Sequence, residues 1–389
     1  MKKTLFDAQT SDDVFKSYED GANPNSKNIF RKTALEIACE NGNLDVFRAL
    51  VKIGADYGLN DKGYHPINLA IRQGFINIVI EYIEVLNFDV NMEILPSITS
   101  LMLCCSSGYI DILDYLLAQK NIDLEITGTM KRTALFYAFI NKPKNSIDVL
   151  NRLINSGCNT NATDRYGRSP LFYAKTTQEL DYLLFGGGNI NIIDIYGNNA
   201  LLNAVLNGDH DYVEALLHYG CDPSNTFAFE TVIKINNLEL LKLFLRYRAK
   251  SNNNANEILY QACENNNTEA VKLLLESGIY PDNNQHNVYP IYTAIDHNNK
   301  YIVKLLLEYG ADPNPPVYEF RRNRHYLYTP LMRAVRLNVN RQIIIDLLEY
   351  CADIEQKDRH NLNVIDYAES IGDYNLANFF KEVLKKLTG

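Results

Sequence analysis

Seven cysteines, seven histidines and one glycine triplet are the residues of this 389-residue chain whose chemistry could turn over a substrate. A thiolate beside a histidine is a nucleophile, two histidines one helical turn apart hold a metal ion, and consecutive glycines can offer backbone amides to a phosphate. The histidines, His65, His210, His218, His286, His297, His325 and His360, lack the paired spacing that puts two imidazoles on one helix face. Gly186-Gly187-Gly188 is followed by Asn189, not by the Lys-Ser or Lys-Thr of a phosphate loop. No metal, cofactor or catalytic residue is expected. A cysteine whose histidine partner arrives only in the fold stays open as an alternative, because such partners need no sequence proximity.

What must position these residues is a repeat. Thr329-Pro330-Leu331-Met332-Arg333-Ala334 leads to Leu347-Leu348-Glu349-Tyr350-Cys351-Ala352-Asp353, and Tyr289-Pro290-Ile291-Tyr292-Thr293-Ala294 leads to Leu306-Leu307-Glu308-Tyr309-Gly310-Ala311-Asp312. Aligned on the small residue closing the first motif, the copies fall at Ala38, Ala70, Cys104, Ala138, Ala174, Ala204, Val232, Ala262, Ala294, Ala334 and Ala368. The intervals run from 28 to 40 residues. They scatter about a period of roughly 33 and fall short of the roughly 40 to 47 of other helical repeats.

Each slot has a physical reason. Thr33, Thr99, Thr133, Ser169 and Thr329 can cap helix amides, while Pro66, Pro170, Pro290 and Pro330 suit the first helical turn. Leu35, Leu101, Leu135, Leu171, Leu201 and Leu331 are expected to fill the space between stacked units. Gly54, Gly157, Gly187, Gly220, Gly278 and Gly310 then stop the second helix. Cys39, Cys105 and Cys263 follow the small slot, Cys104 fills it, Cys158 and Cys221 follow the stop glycine, and Cys351 replaces it. All seven thiols therefore read as small packed residues of a reducing compartment.

This pattern resembles the ankyrin-repeat family over essentially the whole chain. The resemblance implies an all-α-dominated solenoid of about eleven to twelve helix-turn-helix units with β-hairpin loops, binding partners on a concave face made by hairpins and first helices. The expected organisation is a single array over 1–389, with an N-terminal capping unit at 1–30, central repeats at 31–360 and a C-terminal capping repeat at 361–389. The seventh copy is the weakest, with Val232 in the small slot and Arg248 in the stop slot, so the stack is expected to bend or loosen near 225–256. The family also suggests asparagine hydroxylation at Asn161, Asn191, Asn225 and Asn314, although asparagine simply suits tight turns. An F-box is not expected at the C-terminus, because the last repeat runs nearly to the end.

Composition sets further bounds. The first residues meet Asp7 before any apolar signal region forms, and no apolar run is long enough to span a bilayer, so a cytoplasmic monomer is expected. Abundant Asn, Ile, Lys and Tyr with no Trp is similar to the ankyrin proteins of intracellular bacteria, large DNA viruses and protists. Export by such a source would place the chain in a host cytosol as an effector. A net charge of −9 argues against nucleic acid.

Function is thus sought in a protein-binding scaffold or adaptor, with a purely architectural spacer as the second alternative. The longest interval, between Ala294 and Ala334, holds an insert rich in arginine and aromatics, the composition of interface hot spots. Tyr318, Phe320, Arg321, Arg322, Arg324, Tyr326 and Tyr328 are the first candidates. Lys131, Arg132, Arg165, Tyr166, Arg168 and Tyr196 extend them along the hairpins, in a basic strip that also takes in Arg31, Lys32, Lys62 and Arg359. Such a strip suits an acidic or phosphorylated protein segment. Asp164, Asp194 and Asp358 recur at one turn register and are expected to bond backbone amides.

Overall fold

The computed structural model describes residues 4–223, 227–247, 255–282, 289–315 and 328–388. The chain divides by its internal contacts into two units, Met1–Cys221 and Asp222–Gly389. The division falls within the shortest repeat interval, between Ala204 and Val232.

In the first unit a capping helix, Ser11–Glu19, precedes the pairs Ala34–Asn41 with Leu44–Lys52, Ile67–Gln73 with Ile76–Ile80, Ser100–Ser107 with Ile110–Leu117, and Ala134–Ile140 with Ser146–Asn155. The next copy keeps only a 3-10 turn, Pro170–Phe172, before Thr177–Phe185, and the unit closes on Ala200–Asn207 with His210–His218. The reduced helix has a local cause. Thr176 caps the following helix in a reciprocal box with Glu179, which starts that helix early and leaves too few residues for a full first helix. The second unit repeats the plan in five pairs, from Ala228–Lys234 with Leu238–Arg246 to Val364–Ser370 with Tyr374–Thr388. Inside each unit first helices pack on first helices and second on second. The six leucines named above are all at most 1% exposed, and every residue in the small slot is buried.

Capping matches the sequence in part. The side chains of Thr33, Thr99 and Thr329 accept from the amides of Glu36, Met102 and Met332. Thr133 and Ser169 occupy the cap position without a side-chain cap bond. Pro66 sits one place early, as the cap of Ile67–Gln73, whereas Pro290 and Pro330 open their helices. Among the described residues one loop forms a pair of strands, Glu93–Leu95 with Ile98–Thr99, and a single antiparallel bridge joins Lys27 to Thr33; the other described loops are turns. Val232 is buried despite its size, and Arg248 lies outside the described residues.

Two hydrogen-bond ladders tie repeat to repeat. In the first, Asn25, Asn91, Asn161 and Asn314 each use both ends of the amide. Asn161 Nδ2 donates to the Gly187 carbonyl at 2.9 Å while its Oδ1 accepts from the Asn189 amide at 2.6 Å. Asn314 does the same with Cys351 and Asp353, at 2.8 and 2.7 Å. Asn25 bridges to Gly54 and Asp56, and Asn91 to Asn121 and Asp123. The second ladder belongs to the second unit. There four of the five first helices end on left-handed asparagines, Asn236, Asn266, Asn298 and Asn338, and the fifth on Gly372, where the first unit mostly uses glycine. The side chain repays the strain of that conformation at three of them, since Asn267 donates to Asn236 Oδ1, Asn299 to Asn266 Oδ1, and the Asn340 amide to Asn298 Oδ1.

The glycine triplet is structural. Gly187 is left-handed at φ 83°, and a Cβ on Gly188 would lie 2.6 Å from the Leu183 carbonyl oxygen. No helix among the described residues is long and apolar enough to cross a membrane.

Candidate protein-interaction surface

Five of the turns joining one repeat to the next share one construction, whereas the Gly128 turn, with Met130 and Lys131 both left-handed, keeps the backbone bond to the Arg132 carbonyl without a side-chain acceptor. The side-chain oxygen of residue i accepts the amides of i+2 and i+4, and the amide of i donates to the carbonyl of i+4. Asp164 accepts from Tyr166 and Arg168 at 2.8 and 3.1 Å, Asp194 from Tyr196 and Asn198 at 2.9 and 3.0 Å, and Asp358 from His360 and Leu362 at 2.8 and 2.9 Å. Asn28 and Asn60 build the same turn with a neutral oxygen. Residue i+3 is left-handed each time, at Arg31, Gly63, Gly167, Gly197 and Asn361. The side chains at i+1 and i+2 are therefore held out on a rigid base.

The second oxygen of each turn acid faces inward and is paired. Tyr173 donates its hydroxyl to Asp164 Oδ2 at 2.6 Å, and Arg132 lies 3.8 Å from the same oxygen with its guanidinium over the Tyr173 ring. Arg168 Nε donates to Asp194 Oδ2 at 3.2 Å. Tyr367 donates to Asp358 Oδ2 at 2.7 Å. Burial alone would raise the Asp358 carboxyl, but the Tyr367 hydroxyl and the amides of Leu362 and His360 together hold it below the usual carboxylate range.

This pairing sorts the candidate cations. Arg132 and Arg168 serve buried acids, and Lys32 and Lys27 are turned to Glu40 and Asp61. Lys131 and Arg165 are exposed, with Arg165 lying over the Tyr166 ring at 5.2 Å. Neighbouring turns are joined through their backbones, since the Arg165 amide donates to the Met130 carbonyl at 2.8 Å and the Ile195 amide to the Tyr166 carbonyl at 2.9 Å. Met130, Lys131, Arg165, Tyr166, Ile195 and Tyr196 thus form one continuous stretch of turn tips.

Tyr318, Phe320, Arg321, Arg322, Arg324 and Tyr326 lie outside the described residues, as does Asn225. Tyr328 is half-buried, its ring between Arg336 at 4.7 Å and Tyr367 at 5.4 Å, and its carbonyl accepts the Tyr292 hydroxyl at 2.8 Å.

Three features escaped the sequence. Ile29 and Phe30 project from the Asn28 turn at 90% and 75% exposure, and Ile195 from the Asp194 turn at 63%. Their signal in the sequence is an apolar residue placed just after a turn-forming Asn or Asp. The third is Arg72, at the mouth of a pocket of about 320 Å³ reaching Leu95, Ile98, Ser107, Tyr137 and Asn141, with no acid in its lining. Every other described arginine is met by a carboxylate, a ring or another partner.

Cys351 is exposed, and the other thiols are packed inside the repeats. Six of seven are buried; burial pushes Cys39, Cys104, Cys105 and Cys263 well up and Cys158 to about 12, which suppresses the thiolate. Among the described residues no group of histidines, cysteines and acids could hold a metal ion.

No curated protein matches this chain. The family model described as ankyrin repeats matches residues 8–94, 80–164, 142–226 and 229–317. With helix pairs, capped first helices and rigid turn tips recurring in that register, the chain belongs to the ankyrin-repeat family, whose repeats generally mediate protein–protein interaction.

Proposed function

We propose that this chain is a non-catalytic adaptor that binds an acidic segment of a protein partner across the turn tips of its first unit. The observation that carries the reading is the sorting of charge at those tips. At the tips from Met130 to Tyr196, Asp164 and Asp194 point inward to Arg132, Tyr173 and Arg168, and Lys131 and Arg165 face solvent beside Tyr166, Ile195 and Tyr196; Arg31 and Lys62 are exposed at the earlier tips, with Asp61 between them. Aromatic and arginine side chains on a preorganised base lose little entropy on binding, and the cations draw an acidic partner. Arg72 offers a further cation to an acidic side chain at the pocket it lines with Tyr137 and Asn141. The insert with Arg321, Arg322 and Arg324 belongs to the same proposal as a second contact.

Selection of displayed peptides against the full chain tests it. Enrichment of aspartate and glutamate, weakened by salt and lost in a Lys131→Glu, Arg165→Glu variant that melts normally, supports the reading. Peptides without acidic bias, or binding untouched by that variant, would sink it. An Arg72→Gln variant and an Arg321→Glu, Arg322→Glu, Arg324→Glu variant apportion binding among the tips, the Arg72 pocket and the insert.

A further inference from the structure

The asparagine ladder has one acidic member. Asp282 stands at the register of Asn25, Asn91, Asn161 and Asn314, and its Oδ2 accepts the amide of Asp312 as their Oδ1 accepts the amides of Asp56, Asp123, Asn189 and Asp353. In all four asparagines Nδ2 donates to the carbonyl two residues before that amide. The corresponding carbonyl for Asp282 is Gly310, which also accepts the Tyr280 hydroxyl at 3.4 Å. A carboxylate has no proton for it. Asp282 Oδ1 is buried with no hydrogen-bond partner among the described residues, an arrangement that is costly for an ionised oxygen and natural for a protonated one.

We infer that Asp282 works as a proton-dependent latch between its repeat and the next, donating to the Gly310 carbonyl when protonated and leaving the two oxygens facing each other when ionised. The charges around it point the same way. Asp312 is the acid beside it and adds repulsion to the ionised form, while Glu276, on the preceding helix, is turned to Lys272 at 3.9 Å. Burial, with the charge of Asp312, lifts the carboxyl from 3.8 to about 6 against the Asp312 amide bond, so the latch titrates in mildly acidic solution. The seam between helix Thr268–Glu276 and helix Lys300–Glu308 is thereby tied below that range and loosened above it. An asparagine would hold it at any pH.

Hydrogen exchange on the full chain tests the latch, with amide rates corrected for the intrinsic effect of pH. The Asp312 amide and its neighbours in 306–314 should open at least several-fold more readily at pH 7.5 than at pH 5, and Asp282→Asn should abolish the difference while keeping the protected state. The Asn161 seam, already an amide, serves as the internal control and should not respond. Equal protection at both pH values in the wild-type chain, or a pH response that survives in Asp282→Asn, overturns the inference. Should the asparagine variant disturb folding, the carboxyl carbon of Asp282 can be titrated directly by NMR in the wild-type chain, where a midpoint near 4 overturns it equally.

Discussion

Asn161→Ala removes one rung of the ladder and leaves everything else in place. The side chain makes two bonds between repeats, 2.9 Å to the Gly187 carbonyl and 2.6 Å from the Asn189 amide. Each is worth about 0.5–1.5 kcal/mol net, and orphaning a fully buried partner costs about 1–3 kcal/mol. Asn161 is only half-buried and Asn189 lies at the surface, so water replaces part of each bond and a loss of about 1–2 kcal/mol is expected. Asn161→Asp keeps the acceptor but turns the donor into a second oxygen facing Gly187. It should cost more than alanine at pH 7 and less at pH 4, reproducing at this seam the situation of Asp282. Urea unfolding followed by circular dichroism measures the midpoints, and exchange at the Asn189 amide reports the rung itself. Alanine within about 0.3 kcal/mol of wild type, with Asn189 exchange unchanged, would refute the claim that these amides hold the repeats together.

Other consequences follow from particular residues. Cys351 occupies a stop position at φ 68° where six other repeats place glycine, and it is exposed, so Cys351→Gly should gain about 0.5–1 kcal/mol by thermal melting; a loss would contradict the strain. Arg132→Ala strips the cation from buried Asp164 and should cost about 1–3 kcal/mol, whereas Lys131→Glu with Arg165→Glu should change stability by less than about 0.5 kcal/mol. Asp358 is held below its ordinary range, so its stabilising contribution is present above the unfolded carboxylate range and is lost as pH falls through the folded value. Tyr367→Phe weakens that hold, and the variant should therefore lose less stability than wild type between pH 5 and about pH 3.

Much of the fold was legible in the chain because its causes are local. Thr329 caps three residues ahead and Gly310 ends the helix just before it; both lie within one or two turns of what they act on. Leu331 and Ala334 fall on one helix face by the same arithmetic. The exceptions were local competitions, as where the Thr176 and Glu179 box cut short the helix after Pro170. The candidate surface was legible only as a set of residue types. Turn acids recurring at one register announced their own amide bonds, but nothing in the spacing said that Arg132 would be spent on Asp164 or Arg168 on Asp194.

The repeat, its register, the caps at Thr33, Thr99 and Thr329 and the buried leucines were determined by the sequence alone, since short-range hydrogen bonds and helical periodicity carry them. Tertiary structure decided which cations are taken up by buried acids, and why Asp282 Oδ1 lacks a partner among the described residues. Those outcomes depend on groups some 30 residues apart that meet only when neighbouring repeats stack. A charge pairs with whatever the adjoining turn presents, and that is a property of the assembled seam.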